Sequence, residues 1–475
     1  MFMLRALLVF LLAAKVASAQ SLPPAVELEL KRAQIPLSSV GAWVQDVDGG
    51  RPHLAHNAAQ AMNPASTIKL LTTYAALELL GPTYTWKTEA YAGGKVEGGV
   101  LEGNLILKGY GDPKFTLENF WLLLRRLRAL GVRDIRGDLL LDRSHFEAAE
   151  FDPAKFDAEP LRAYNVGPDA LLLNFKVVRF QFVPDAEHKT VAVIAEPKPA
   201  GLEFAAAVRA TDGACGDWRA GIKADFQTNG GSAKASFAGS MPAACGERYW
   251  NASLLAQPNY VYGVFRQLWE ELGGTLAGRW KDGLVPADAR LLATNASASN
   301  AELARDINKF SNNVMARQLF LTLGAEMLKL PGRSDRSAQV VQSWLAEKKL
   351  TFPELVLENG SGLSRNERIS AEHMGSLLLE AWRSAVMPEL ISSLPLVAYD
   401  GTMRRRLRFE SIAGQAHIKT GSLIDARTLA GYVLDQRGQR HVVVLFINHA
   451  NAAAAQPAQD ALLQWVYQRG RSRRN

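Results

Sequence analysis

The chain changes texture twice. It opens and closes with recognisable strand and helix patterns, while residues 86–285 are a long run of short strand-like segments broken by glycine. The run Val100 to Leu107, followed by Gly109-Tyr110-Gly111-Asp112-Pro113, is typical of that middle. One core does not ordinarily grow to 475 residues, so at least two domains are expected. The two ends must then meet in space, with the middle carried as an insertion of one or two β-rich subdomains.

The ends read as follows. Val40 to Val47 is an apolar strand, Asp48-Gly49-Gly50 a turn, and Pro52 to Ala55 the start of a return strand. Asn63-Pro64-Ala65-Ser66 opens a helix whose apolar face includes Leu70, Leu71, Tyr74 and Leu77, and Gly81-Pro82 ends it. From about residue 290 helices return: Ala301 to Phe310, Val314 to Leu323, Ser337 to Lys348, and Ala371 to Trp382 with Ser370 as N-cap. Ala416 to Thr420 reads as a strand, Thr428 to Leu434 and His441 to Ile447 as a hairpin, and Ala452 to Tyr467 as a last helix. Strands from both ends can therefore share one antiparallel sheet with helices packed on it. No repeat or low-complexity tract interrupts this pattern.

Hydrophobic residues make up 48% and charged residues 21%, a globular and not a disordered composition. The net charge of +7 is spread along the chain and comes with no groove-reading motif, so a nucleic-acid partner is not expected. The basic end Arg469, Arg471, Arg473, Arg474 reads as a solvated tail. Arg5, the apolar run Ala6 to Ala14 and Ala17-Ser18-Ala19 before Gln20 form a secretory signal, 1–19. The apolar run is too short to span a bilayer, and no later stretch does so, so a periplasmic protein without a transmembrane segment is expected. In an exported chain the two cysteines, Cys215 and Cys245, are expected to form a disulfide. No histidine stands at ligand spacing from them, so no metal is expected.

Three short patterns stand in order: Ser66-Thr67-Ile68-Lys69, Ser311-Asn312-Asn313 and Lys419-Thr420-Gly421-Ser422. Singly each is weak, since an S-x-x-K match arises on the order of once by chance in a chain this long. Taken alone, Ser66 reads equally as a helix cap, Ser311 and Asn313 as a satisfied turn, and Lys419 as an exposed strand residue. Their context gives them weight. Three residues along a helix, Ser66 and Lys69 share a face. A serine needs a base to attack a carbonyl, and lysine serves when its ammonium is destabilised by burial, a helix N-terminus or a second cation. Lys419 is the candidate second cation, charged and free to bind a substrate carboxylate. Ser311 and Asn313 sit at a helix–helix break, placed to shuttle a proton to a leaving amine and to hold peptide groups. Thr420, Gly421 and Ser422 lie on an edge-like strand where an extended peptide can add, with Gly421 leaving room for it. The N–H groups of Ser66 and Ser422 are a candidate oxyanion hole. His417 shares Lys419's face of the strand and is read as structural. No Gly-x-Ser-x-Gly elbow supports a histidine triad.

Together the three motifs resemble those of penicillin-binding proteins and serine β-lactamases. Asn63-Pro64-Ala65-Ser66, Tyr164-Asn165, Pro168-Asp169-Ala170-Leu171, Asn359 to Arg365, Asp400-Gly401-Thr402 and His417 to Leu423 narrow the resemblance. It is to the low-molecular-mass class C penicillin-binding proteins, the D-alanyl-D-alanine carboxypeptidase/endopeptidase group, peptidase family S13. That resemblance implies an α+β fold, with a five-stranded antiparallel sheet flanked by helices in a discontinuous catalytic domain (20–85 and 286–475) and the β-rich insertion at 86–285. It implies acyl-enzyme chemistry on peptidoglycan stem peptides and cross-links, with Ser66 as nucleophile and Lys69 as general base. β-Lactams are then acylating inhibitors, and no cofactor is implied. Residue 312 is Asn and residue 422 Ser where relatives often carry Asp and Thr. Residue 312 is expected to point away from the cleft, and residue 422 to act through its N–H. Gly360 to Arg365 reads as loop structure without a catalytic role. Two other readings compete. A β-lactamase lacks so large a gap between its first motifs, and no deacylating Glu motif is visible here. A non-catalytic wall-peptide binder would not need Ser66, Lys69 and Lys419 together.

Overall fold

The computed structural model describes residues 21–148 and 150–469. The expected leader, 1–19, and Arg471, Arg473 and Arg474 lie outside the described residues. The ends of the chain do meet in one antiparallel sheet. Its strands are β1 (Val40–Asp46), β2 (Leu54–His56), β3 (Ala416–Ser422), β4 (Ala426–Leu434) and β5 (Arg440–Asn448), in the order β3-β4-β5-β1-β2. β5 reads as a continuous apolar run because both its faces are covered. Val443, Leu445 and Ile447 pack with α1 (Pro24–Arg32) on one side, and Val442, Val444 and Phe446 face the opposite layer. That opposite layer is built from α2 (Lys69–Leu79), α3 (Asn300–Phe310), α4 (Asn313–Leu328), α5 (Ser334–Glu347) and α6 (Ala371–Arg383). A last helix, α7 (Gln456–Gln468), joins α1 through Leu462, Leu463 and Val466. The fold class is α+β, as the resemblance implies.

Between α2 and α3 the chain forms two further sheets. One has seven strands, from Lys87–Glu97 to Arg290–Ala296, and the other six, between Val178 and Ala252. They share a single hydrophobic core with helices Leu117–Ala129 and Gln257–Glu271. The strand-like texture of this region hides those helices, although Phe120, Leu123, Leu124 and Leu127 have helical spacing and are all buried. The insertion grips the helical layer by hydrogen bonds. Gln318 on α4 accepts the Asp169 N–H at 2.9 Å and donates to the Asp169 carbonyl at 2.8 Å. Arg317 donates to the Val166 carbonyl at 3.1 Å. Pro168-Asp169-Ala170-Leu171 is thus the seam between the insertion and a site-bearing helix.

Cys215 and Cys245 are bonded, with Cα atoms 4.7 Å apart. The bond closes a chain separation of 30 residues inside the six-stranded unit. Loop-closure entropy for that length corresponds to about 3–4 kcal/mol. Reducing the protein is expected to lower its melting temperature, and a thiol count before and after reduction checks that this bond is the cause. Unchanged melting with both thiols freed would contradict the assignment. Among the described residues no helix is long and apolar enough to cross a membrane.

Candidate active site

The first motif is built by local backbone conformation. Ala65 takes a left-handed φ of 45°, and Ala65–Ile68 forms a 3₁₀ turn that runs into α2 at Lys69. A left-handed alanine is strained, and the surroundings hold it in place. Asn63 Oδ1 accepts the Ala65 N–H at 2.8 Å, while Asn448 at the end of β5 bonds both backbone groups of Asn63. Thr428 on β4 donates to the Pro64 carbonyl at 2.7 Å. The turn leaves Ser66 half-buried and brings Lys69 beneath it.

Lys69 is fully buried, and its Nζ lies 2.9 Å from Ser66 Oγ and 2.7 Å from Asn313 Oδ1. It also reaches the Ser361 carbonyl. Two of these partners are carbonyl-type oxygens and can only accept; the Ser66 hydroxyl alone can donate instead. An ammonium would donate to all three. A neutral amine would satisfy the two carbonyls with its two N–H bonds and leave its lone pair for the Ser66 proton. Burial pushes the Lys69 pKa well below the usual lysine value; Lys419 and Arg317 act the same way and Glu367 opposes them.

The second motif is the break between α3 and α4. Ser311 caps α3 in a left-handed conformation with φ 56°. Asn312 caps α4, its side chain accepting the Met315 N–H at 3.0 Å, so its amide serves the helix end. Ser311 and Asn313 line a cavity of about 560 Å³ whose other wall, with Arg179 and Glu196, belongs to the insertion.

The third motif is on β3, the edge strand. Lys419 is buried; its Nζ donates to Ser311 Oγ at 2.8 Å and to the Thr420 carbonyl at 2.7 Å. Burial lowers its pKa to about 7. Among the described residues no carboxylate offsets that burial in the free protein. Thr420 Oγ1 bonds Thr402 at 2.7 Å. Leu423 N–H pairs inward with Ala426, whereas Ile418 N–H points outward to the Pro395 carbonyl at 2.8 Å. The alternation of an antiparallel ladder then turns the N–H groups of Thr420 and Ser422 outward as well. A segment around Pro395–Val397 covers the start of this edge. Among the described residues nothing bonds the Thr420 and Ser422 N–H groups beyond it.

Gly421 permits a close approach within the protein itself. A Cβ there would lie 2.8 Å from Ser66 N and 2.2 Å from Thr428 Oγ1, so the glycine lets β3 close on the Ser66 backbone. His417 is half-buried and held neutral, its pKa driven to about 4 by burial and then by Arg440 and Lys309; it has no bond to any of the three motifs.

Sequence reasoning missed the loop after α5. It treated Gly360 to Arg365 as scaffolding, yet Ser361 supplies the carbonyl that holds Lys69. A Cβ on Gly362 would collide with Ala65 O and Ser66 N. Glu367 is fully buried and pins this loop by accepting the N–H groups of Asn359 and Gly360 at 3.0 and 2.9 Å. Its burial raises its pKa against those bonds and against Lys69. The one signal pointing there was a question of charge: two buried lysines call for a buried carboxylate nearby.

A family model described as the D-Ala-D-Ala carboxypeptidase 3 (S13) family matches residues 24–469. A D-alanyl-D-alanine carboxypeptidase of Actinomadura sp. strain R39 is 29% identical over 440 residues, 89% of this chain and 80% of the relative. The D-alanyl-D-alanine carboxypeptidase DacB of Haemophilus influenzae is 26% identical over 416 residues, 86% of this chain and 85% of the relative. Among solved structures, penicillin binding protein 4 (dacB) of Haemophilus influenzae superposes with a TM-score of 0.78 at 23% identity, covering 93% of this chain and 99% of that one. The fold is also similar to that of the Bd0816 predatory endopeptidase of Bdellovibrio bacteriovorus, with a TM-score of 0.53 at 16% identity, covering 90% of this chain and 93% of that one.

Proposed function

Because the chain belongs to the D-Ala-D-Ala carboxypeptidase 3 (S13) family, we propose that Ser66 and Lys69 are the working pair of its peptidase site. The protein is a serine-type D-Ala-D-Ala carboxypeptidase of the penicillin-binding kind, and the endopeptidase reaction on cross-links fits the same site. The observation that carries the assignment of roles is Lys69 Nζ at 2.9 Å from Ser66 Oγ with its other partners both obligate acceptors.

In this reading Ser66 Oγ attacks the carbonyl carbon of the penultimate D-Ala and Lys69 takes its proton. The outward N–H of Ser422 and the N–H of Ser66 receive the developing oxyanion. Ser311 hands its proton to the leaving nitrogen and regains one from Lys419 Nζ, 2.8 Å away. The lysine pair then holds as many protons after acylation as before. Water hydrolyses the ester. The substrate's terminal carboxylate is drawn to Lys419, Thr420 and Ser422, and its backbone adds along the open half of the β3 edge. Its peptidoglycan substrate and the Cys215–Cys245 bond both fit a periplasmic location.

Release of D-Ala from a stem peptide ending in D-Ala-D-Ala tests the reading, and its pH profile tests the lysine roles. Lys419 must be protonated to attract a carboxylate, so kcat/KM is expected to fall as pH rises through about 7. A bound carboxylate raises the Lys419 pKa, so the alkaline limb of kcat is expected at higher pH than that of kcat/KM. No D-Ala release, or a kcat/KM that keeps rising across neutral pH, would contradict these assignments.

A further inference from the structure

Away from the cleft, the other end of the central sheet gathers three metal-ligating side chains that no step of the peptidase reaction uses. Asp46 ends β1 and stands directly opposite His441 at the start of β5, so their side chains share a face. His53 lies in the turn from β1 to β2, tied down by its N–H to the Val44 carbonyl at 2.8 Å. Asp46 Oδ1 is 2.8 Å from His53 Nε2 and 2.6 Å from His441 Nδ1, and the ligand atoms of the three residues all lie within 4.8 Å of one another.

His53 Nε2 and Asp46 Oδ1 are hydrogen-bonded, but the third member of the cluster is not satisfied in this way. His441 is 3% exposed, yet its Nδ1 makes no hydrogen bond even at that distance from Asp46. A buried ring nitrogen next to a carboxylate oxygen but without a hydrogen bond is a donor atom left for another ligand. The opposite nitrogen, His441 Nε2, meets the buried Asp435 carboxylate at 3.1 Å. Such a carboxylate fixes the histidine's tautomer and makes its opposite nitrogen a better metal ligand. Asp435 is itself oriented by the Arg437 and Gln439 N–H groups, at 2.8 and 2.9 Å. Asp46 and His53 are each about one-quarter to one-third exposed, which leaves room for water as a further ligand.

We propose that Asp46, His53 and His441 form a binding site for a divalent transition-metal ion such as zinc, with Asp435 as the outer carboxylate of His441. Two imidazoles and one carboxylate suit such an ion better than magnesium or calcium, which prefer all-oxygen ligands. Metal–ligand bonds of about 2.0–2.2 Å require donor separations near 3.3 Å, so the three side chains open by about half an ångström on binding. Arg469 lies near enough to Asp46 and Asp435 to interact with both carboxylates. The ion would clip the β1–β2 turn to the β4–β5 turn, three residues along β5 from Val444, the position in Lys419's cross-strand row. The donors come from positions 46, 53 and 441, a spacing that no sequence motif reveals.

The test uses the full mature chain without an affinity tag. Zinc titrated calorimetrically into the metal-stripped protein is expected to bind once, and cobalt to give visible d–d absorption. His53→Ala is expected to weaken zinc binding at least tenfold, and Asp435→Asn by about tenfold, the effect of losing an outer-shell partner. Because His53 is on the surface side of the site, retained D-Ala release by His53→Ala verifies that the variant is folded. Zinc binding weaker than about 1 mM by the unaltered protein, or equal binding by His53→Ala, would overturn the proposal.

Discussion

Ser66→Ala is expected to abolish acylation by penicillin and to cut D-Ala release on the order of 10⁶-fold, the scale seen when a serine nucleophile is removed from a catalytic unit. The substitution takes away one oxygen from a half-buried side chain and leaves the Ala65 turn, the Thr428 tie and the Gly421 contact as they are. The melting temperature should therefore move little. Among the described residues the donor–acceptor pair lost is that with Lys69, whose remaining partners hold it in place. An acylated Ser66→Ala protein, detected as an intact adduct, would show that another residue is the nucleophile.

Lys69→Met is expected to slow acylation by about 10⁴-fold, the upper end of what a general base supplies, at every pH near neutral. Methionine keeps most of the buried volume but leaves Asn313 Oδ1 and the Ser361 carbonyl without a donor. Each unpaired buried acceptor costs about 1–3 kcal/mol, set against the relief of no longer burying an amine beside Lys419. Because Ser66 and Lys69 act as one unit, the double variant should be no slower than the worse single variant. Losses that multiply would mean that the base lies elsewhere. A mild loss that recovers at high pH would mean that hydroxide replaces a residue of lesser importance.

How much of this was legible in the sequence follows from the distance over which each interaction acts. The pairing of β1 with β5 could be read because apolar strands at both ends of the chain have nowhere else to hide their faces. The register Asp46 to His441, which builds the proposed metal site, could not, since strand periodicity says which face a residue takes and not which partner it meets. Ser66 and Lys69 were legible as local helix neighbours, although the turn before Lys69 is 3₁₀. The Pro64–Ala65 corner, held by Asn63, Asn448 and Thr428, causes that tightening. The contact of Lys69 with Asn313 spans 244 residues and followed only from motif order. Ser361 and Glu367 escaped because one acts through a backbone carbonyl, which has no sequence signature, and the other through backbone N–H groups of its own loop. Gly421 was legible as a close-approach glycine, but its close neighbours Ser66 and Thr428 were not, since strand alternation gives the direction of a Cβ and not what packs on that face.

All the roles proposed for the site depend on Ser66 forming the acyl-enzyme. Incubation with fluorescent penicillin, followed over time by mass spectrometry of the intact protein and of its proteolytic peptides, tests it most directly. One long-lived penicilloyl adduct is expected on the peptide containing Ser66. No adduct on the folded protein, or an adduct on any other residue, would contradict it, and rapid release of hydrolysed drug would mean that the site works as a β-lactamase instead.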